Sequence, residues 1–265
     1  MKAMDQQARL NNLERILLLL PTAGGAVFGL FPFLLGAAFG RVLGYPGNDT
    51  FIYRLAGAAT FGYAVAYVLG LRKDEWAPLR LVVIATLTFN FASIYACLAE
   101  IARGTNNIVV YLILGTSIAI TVISAWLLTR HAGSARPAAN VSVWSIRLFG
   151  LGVVLSGTFG LLPLLVPVQL AQLFGYLGTD VFLIRQAGAA SLGYAVMAFF
   201  AIRSGAWQEL RLPVVMALVF NGFSLIASIL ALLAGDPILI VVVIGAASLF
   251  ITITSTLNLQ RSGEL

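Results

Sequence analysis

Charge is what this chain lacks most. Only 10% of its 265 residues are charged and 60% are hydrophobic, whereas about a quarter of a soluble domain is charged. A water-soluble globule is therefore excluded. Histidine and cysteine are nearly absent, with one of each. His131 falls on a loop and Cys97 inside an apolar run, so no internal disulfide can form and no set of metal or haem ligands exists. No nucleophile has a plausible base beside it, and no glycine-rich phosphate motif precedes a helix. Enzymatic activity, a cofactor and a metal are not expected. The apolar runs do not alternate with polar residues, which excludes an outer-membrane barrel.

What is present is apolar length, at a mean hydropathy of +0.97. Eight runs, each near the roughly 20 residues a membrane helix needs, lie at Ile16–Ala38, Phe51–Leu71, Leu79–Ile101, Ile108–Thr129, Ile146–Val168, Phe182–Ile202, Leu212–Ala234 and Ile238–Leu257. The fold class is all-α, a polytopic membrane protein with no room left for a soluble domain. The first run, preceded by Lys2, Arg9 and Arg15, has the look of a signal peptide. Its Phe28–Pro32 segment recurs as Phe159–Pro163 inside the chain, so it reads as a span.

The second half repeats the first. Gly44–Val65 returns at Gly175–Val196 with an offset of 131 residues and 14 of 22 positions identical. The same offset pairs Trp76 with Trp207, Arg80 with Arg211, Asn90 with Asn221, Ser93 with Ser224, and Ser117 with Ser248. This is a tandem duplication: a first four-helix unit over 1–130, a linker over 131–145 and a second unit over 146–265. Four helices is an even number, so the units are expected to be parallel, related by a pseudo-two-fold axis along the membrane normal, with any shared site between them. Gly25-xxx-Gly29 and Ala58-xxx-Gly62, with their matches, have the small-residue spacing of closely packed membrane helices.

Basic residues set the orientation. Of 16, 12 lie on the side of the N-terminus and four, Arg41, Arg54, Arg103 and Arg185, on the other. The positive-inside rule then places both termini in the cytoplasm of a cell that carries the chain in its cell membrane. Because the net charge of +6 is spread along loops, a nucleic-acid partner is not expected. The Asn48-Asp49-Thr50 sequon is absent from the second unit. Two further stretches, Gly36–Leu43 and Pro167–Phe174, read as short amphipathic segments at the outer interface.

Few residues remain to carry chemistry. Asp49 and Asp180 each open an even-numbered helix after a glycine turn, as N-caps do. Arg54 and Arg185 follow about one turn later. They either snorkel toward the aspartates and headgroups or converge on an anion, whose geometry Arg matches well. Asn90 and Asn221 sit near mid-membrane, with Ser93 and Ser224 one turn on. Such carboxamides either bond across helices or read one polar group of an otherwise apolar ligand. Ser117, Thr121, Ser248, Thr252 and Thr254 are hydroxyls that could join them.

Phe31–Gly36 (Phe-Pro-x-Leu-Leu-Gly), the Arg-x-x-Gly-Ala and Gly-Tyr-Ala run of Arg54–Ala64, and the Trp-bearing basic loop Trp76–Arg80 resemble small bacterial membrane proteins. These are the uncharacterised four-helix, DoxX-like kind, here fused in tandem. The resemblance implies a bacterial inner membrane and a four-helix unit, and no activity. The expected function is a non-enzymatic membrane protein, either an accessory or assembly subunit or a binder of a lipid-like molecule between the units. Its expected partners are membrane lipids and either a larger membrane complex or a second copy. The alternative is a transporter or channel for a small neutral or anionic solute, with the arginines at the mouth and the asparagines at depth.

Overall fold

The computed structural model describes residues 9–134, 141–176, 180–236 and 238–262. Among them the chain is all-α. Its helices are α1 (Asn12–Leu35), α2 (Ala37–Val42), α3 (Thr50–Leu71), α4 (Trp76–Ala102), α5 (Ile108–Arg130), α6 (Val143–Leu165), α7 (Pro167–Leu173), α8 (Val181–Ser204), α9 (Trp207–Ala234) and α10 (Ile238–Arg261). Eight are long and apolar enough to cross a membrane, and they match the eight apolar runs to within five residues at either end. The short helices α2 and α7 occupy the two stretches read as amphipathic segments. Gly36, at φ +56°, makes the break between α1 and α2, and a β-carbon there would collide with the side chain of Thr50. Residues 135–140 of the expected linker lie outside the described residues. α6 begins at Val143, inside the stretch read as linker, with Ser142 accepting from the Ser145 amide as its N-cap.

Polar contacts sort the loops into two ends. At one, the Arg15–Asp74 and Arg80–Glu209 ion pairs, the Glu14 contacts with Arg130 and His131, and the Ser145–Asn258 bond come together. At the other, Asn107 donates to Gly44 O, and Asp49, Tyr176 and Asp180 form a knot described below. The interior between them is mostly apolar, broken by buried amides and hydroxyls such as Asn90, Ser93, Gln186, Asn221 and Ser224.

Helices from the two halves of the chain pack against one another. α3 packs on α1 and on α9, while α8 packs on α6 and on α4. α5 flanks α4 and α10 flanks α9. The centre is therefore built from α3, α4, α8 and α9, two helices from each half, and these four spans are the most buried. Backbones meet closely where side chains are missing. A β-carbon on Gly57 would lie 2.6 Å from Gly29 O, and one on Gly188 2.7 Å from Gly160 O. Such small-residue contacts let helices approach in lipid, where van der Waals packing rather than water exclusion draws helices together.

At the middle of the bundle Tyr63 Oη donates to Ala190 O and Tyr194 Oη to Ala59 O, both at 2.9 Å. The two rings meet edge to face with centroids 5.0 Å apart. Phe89 lies against Tyr63 at 5.3 Å and Phe220 against Tyr194 at 4.9 Å. Four aromatic rings thus run as a wall through the core.

Candidate functional site: two apolar cavities

Two partly open cavities flank this wall, of about 140 and 150 Å³. The first is walled by α1, α3, α4 and α5 with Phe182, Leu183 and Gln186 of α8. The second is walled by α6, α8, α9 and α10 with Ile52, Leu55 and Ala59 of α3. Neither has an Asp, Glu, Lys, Arg or His in its lining. Asn90 and Ser93 line the first, Asn221 and Ser224 the second; Ser117 and Ser248 follow the same division. The asparagines do not face a common space, because Phe89, Tyr63, Tyr194 and Phe220 stand between the cavities. The described residues thus enclose two separate cavities, each at a junction where one half's helices meet a helix of the other.

Within the first cavity the hydroxyls and amides are linked. Asn90 Nδ2 donates to Thr86 O of its own helix at 2.9 Å. Ser93 Oγ donates to Gln186 Oε1 at 2.8 Å, and Ser117 Oγ donates to Ser93 Oγ at 3.1 Å. Gln186 Nε2 reaches Cys97 Sγ at 3.5 Å. Tyr53, 3% exposed, also lines this cavity, and its Oη has no partner among the described residues. In the second cavity Asn221 Nδ2 repeats the bond to its own helix, onto Ala217 O at 2.8 Å. Ser224 Oγ, in a residue 1% exposed, has no hydrogen-bond partner among the described residues.

Arg54 and Arg185 line neither cavity. No ion pair joins them to Asp49, to Asp180 or to each other among the described residues, and Arg54 Nε with Arg185 Nε and Nη1 are buried without a hydrogen bond. Asp49 caps α3, accepting from the Ile52 amide at 3.0 Å. Asp180 departs from the expected cap. Its side chain makes no cap bond to α8; Oδ2 instead accepts the Asn48 and Asp49 amides at 3.0 and 2.9 Å. The two aspartates differ because the loop at 47–49 passes within reach of Asp180: a β-carbon on Gly47 would lie 2.9 Å from Oδ2. Tyr176 Oη closes the knot by donating to Asp49 Oδ1. Burial pushes the Asp49 carboxyl above the ordinary aspartate range, against the pull of the Tyr176 and Ile52 hydrogen bonds. Burial likewise raises the Tyr176 and Tyr45 phenols.

Sequence reasoning passed over three groups. Gln186 has no polar match, since position 55 is leucine. Tyr53 was hidden inside the repeated motif, where its match is Ile184. Glu14, 1% exposed, takes Arg130 Nε at 2.7 Å and His131 Nε2 at 3.1 Å, while His131 stacks on Trp76 at 4.3 Å. A larger cavity of about 450 Å³ beside this cluster, lined by Trp76, Arg80, His131 and Glu209, also reaches Ala132 and Ser134, which lead into the undescribed stretch 135–140. Among the described residues no group of three or more His, Cys, Asp or Glu side chains is placed to hold a metal ion.

No protein-family model, curated protein or solved structure matches this chain.

Proposed function

We propose that the protein is a multi-pass component of a bacterial inner membrane, with both termini cytoplasmic. In this reading two parallel, DoxX-like four-helix units form one interlaced bundle that holds one neutral lipid-like molecule in each cavity. It acts by binding, without catalysis, as an accessory subunit or carrier of that molecule. The observation that carries this reading is the pair of apolar cavities at matched positions, each furnished with the same Asn and Ser one turn apart. Mostly apolar walls with a few placed polar groups are what small-molecule sites have. A charged head would be buried there without a counter-charge at high cost, so the occupant is neutral. Each cavity is of the size that takes a ring or a short stretch of chain, and the rest of a longer molecule leaves through the open side. Duplication with parallel units is supported by the reciprocal Tyr63–Ala190 and Tyr194–Ala59 bonds, which obey the 131-residue offset. Binding is favoured over passage by the aromatic wall between the cavities.

The test is lipid analysis by mass spectrometry of protein purified in mild detergent. A neutral lipid is expected to copurify. Gly24→Leu fills the first cavity, where Gly24 has nothing within 4 Å of its β-carbon position. Ala247→Phe fills the second. Each variant is expected to lose about half of the bound lipid, and the double variant nearly all. Unchanged lipid content in the double variant refutes the reading.

A further inference from the structure

The two cavities carry the same Asn and Ser but differ in one partner. In the first, Ser93 gives its hydrogen to Gln186 Oε1 at 2.8 Å and also accepts one from Ser117. The position that the offset matches to Gln186 is Leu55. Leu55 lines the second cavity, and a hydrocarbon side chain offers Ser224 nothing. Hydroxyls in membrane helices usually donate to the carbonyl one turn back, as Thr60, Thr88, Ser228 and Thr256 do here. Ser224 does not. A hydroxyl that is buried and unpaired is destabilising unless something supplies its hydrogen bond.

Resting on the reading that these cavities hold ligand, we propose that they differ in specificity. The second cavity selects a long-chain molecule ending in an uncharged hydroxyl or carbonyl, whose oxygen pairs with Ser224 Oγ beside Asn221. The first discriminates less at the matching depth, because its serine is already engaged by Gln186; its unpaired hydroxyl, Tyr53 Oη, lies elsewhere in the lining, against Gly40 of α2. The lining of the second cavity has no Asp, Glu, Lys, Arg or His to neutralise a charged head, which confines the class to neutral heads such as fatty alcohols and acylglycerols.

Two photoreactive probes separate the possibilities: a diazirine-bearing hexadecanol and the corresponding diazirine-bearing hexadecane. Each is added to the full-length protein in detergent, and adducts are mapped by peptide. In the second cavity the alcohol is expected to label α9 and α10 about three- to tenfold more than the alkane does, the ratio for one hydrogen bond. In the first, the α4 peptide around Ser93 is expected to be labelled alike by the two probes. Ser224→Ala removes no protein hydrogen bond, so the fold is retained and the alcohol preference in the second cavity falls to that of the alkane. Leu55→Gln is expected to do the same by engaging Ser224. Gln186→Leu frees Ser93 and is expected to create an alcohol preference in the first cavity. If the second cavity labels equally with both probes, or Ser224→Ala leaves its preference unchanged, the specificity assignment is overturned while the cavities stand as binding sites. If neither probe labels either cavity, the binding reading itself fails.

Discussion

The Asp49 carboxyl shows how one buried oxygen pair links the halves of the chain. Its N-cap role was legible in the sequence from the glycine turn and the helix start. The Tyr176 bond was not, because nothing in a sequence says which loop lies 127 residues away. Asp180 was misread for the same reason: its local context is that of a cap, and a neighbouring loop outbid the helix for its oxygen. The raised Asp49 carboxyl has a pH consequence. A carboxyl whose folded value exceeds its unfolded value stabilises the fold while protonated, so this contribution is complete below about pH 4 and is lost as pH rises through the folded value. Thermal unfolding in detergent between pH 4 and 8 is expected to show stability falling across that window, and Asp49→Asn to flatten the fall. At Gly57 the effect is steric. Gly57→Ala places a methyl 2.6 Å from Gly29 O and 2.7 Å from Phe33 N, and is expected to cost about 1–3 kcal/mol. Gly24→Ala, on α1 with nothing within 4 Å of its β-carbon position, is expected to cost little by the same thermal assay.

At the scale of elements, the eight spans and both short helices could be read from apolar run length and proline placement. Their partners could not. Span α4 presents apolar residues on nearly every side, so no stripe marks the face that meets α8 rather than its sequence neighbours. The polar signals that were legible, Asn90, Ser93 and their matches, do lie at cavity walls. Gln186 was invisible because comparison of the repeats draws attention to what they share, and here the informative residue is where they differ. The tyrosine bonds at the centre hold α3 to α8. Tyr63→Phe and Tyr194→Phe are each expected to lower stability by about 1 kcal/mol, the net worth of a single hydrogen bond. Melting curves should shift alike for the two variants; a shift confined to one would contradict their equivalence.

For the whole molecule, the exchange of partners makes the halves interdependent. α3 depends on α9 and α8 depends on α4, so neither half of the chain owns a complete core. Residues 1–134 and 141–265, expressed as separate chains in one cell, are therefore expected to copurify. Either fragment alone is expected to be lost to degradation. Recovery of a stable, monomeric first fragment would show that its core is complete without the second. Specific ion pairs reinforce the mutual dependence at one end, where Arg80 of α4 meets the buried Glu209 of α9 at 2.8 Å.

Interlacing also imposes an order in time. About a hundred residues separate the start of α4 at Trp76 from the start of its partner α8 at Val181. At roughly 5–20 residues per second of synthesis, α4 waits on the order of 5–20 seconds in the bilayer with its α8-facing side, including Ser93, bare. During that interval Ser93 lacks its Gln186 acceptor, and its hydroxyl is left to a carbonyl of its own helix. Only once α8 has been made can Ser93 take its bond to Gln186, so the polar contact between these helices is among the last that synthesis permits.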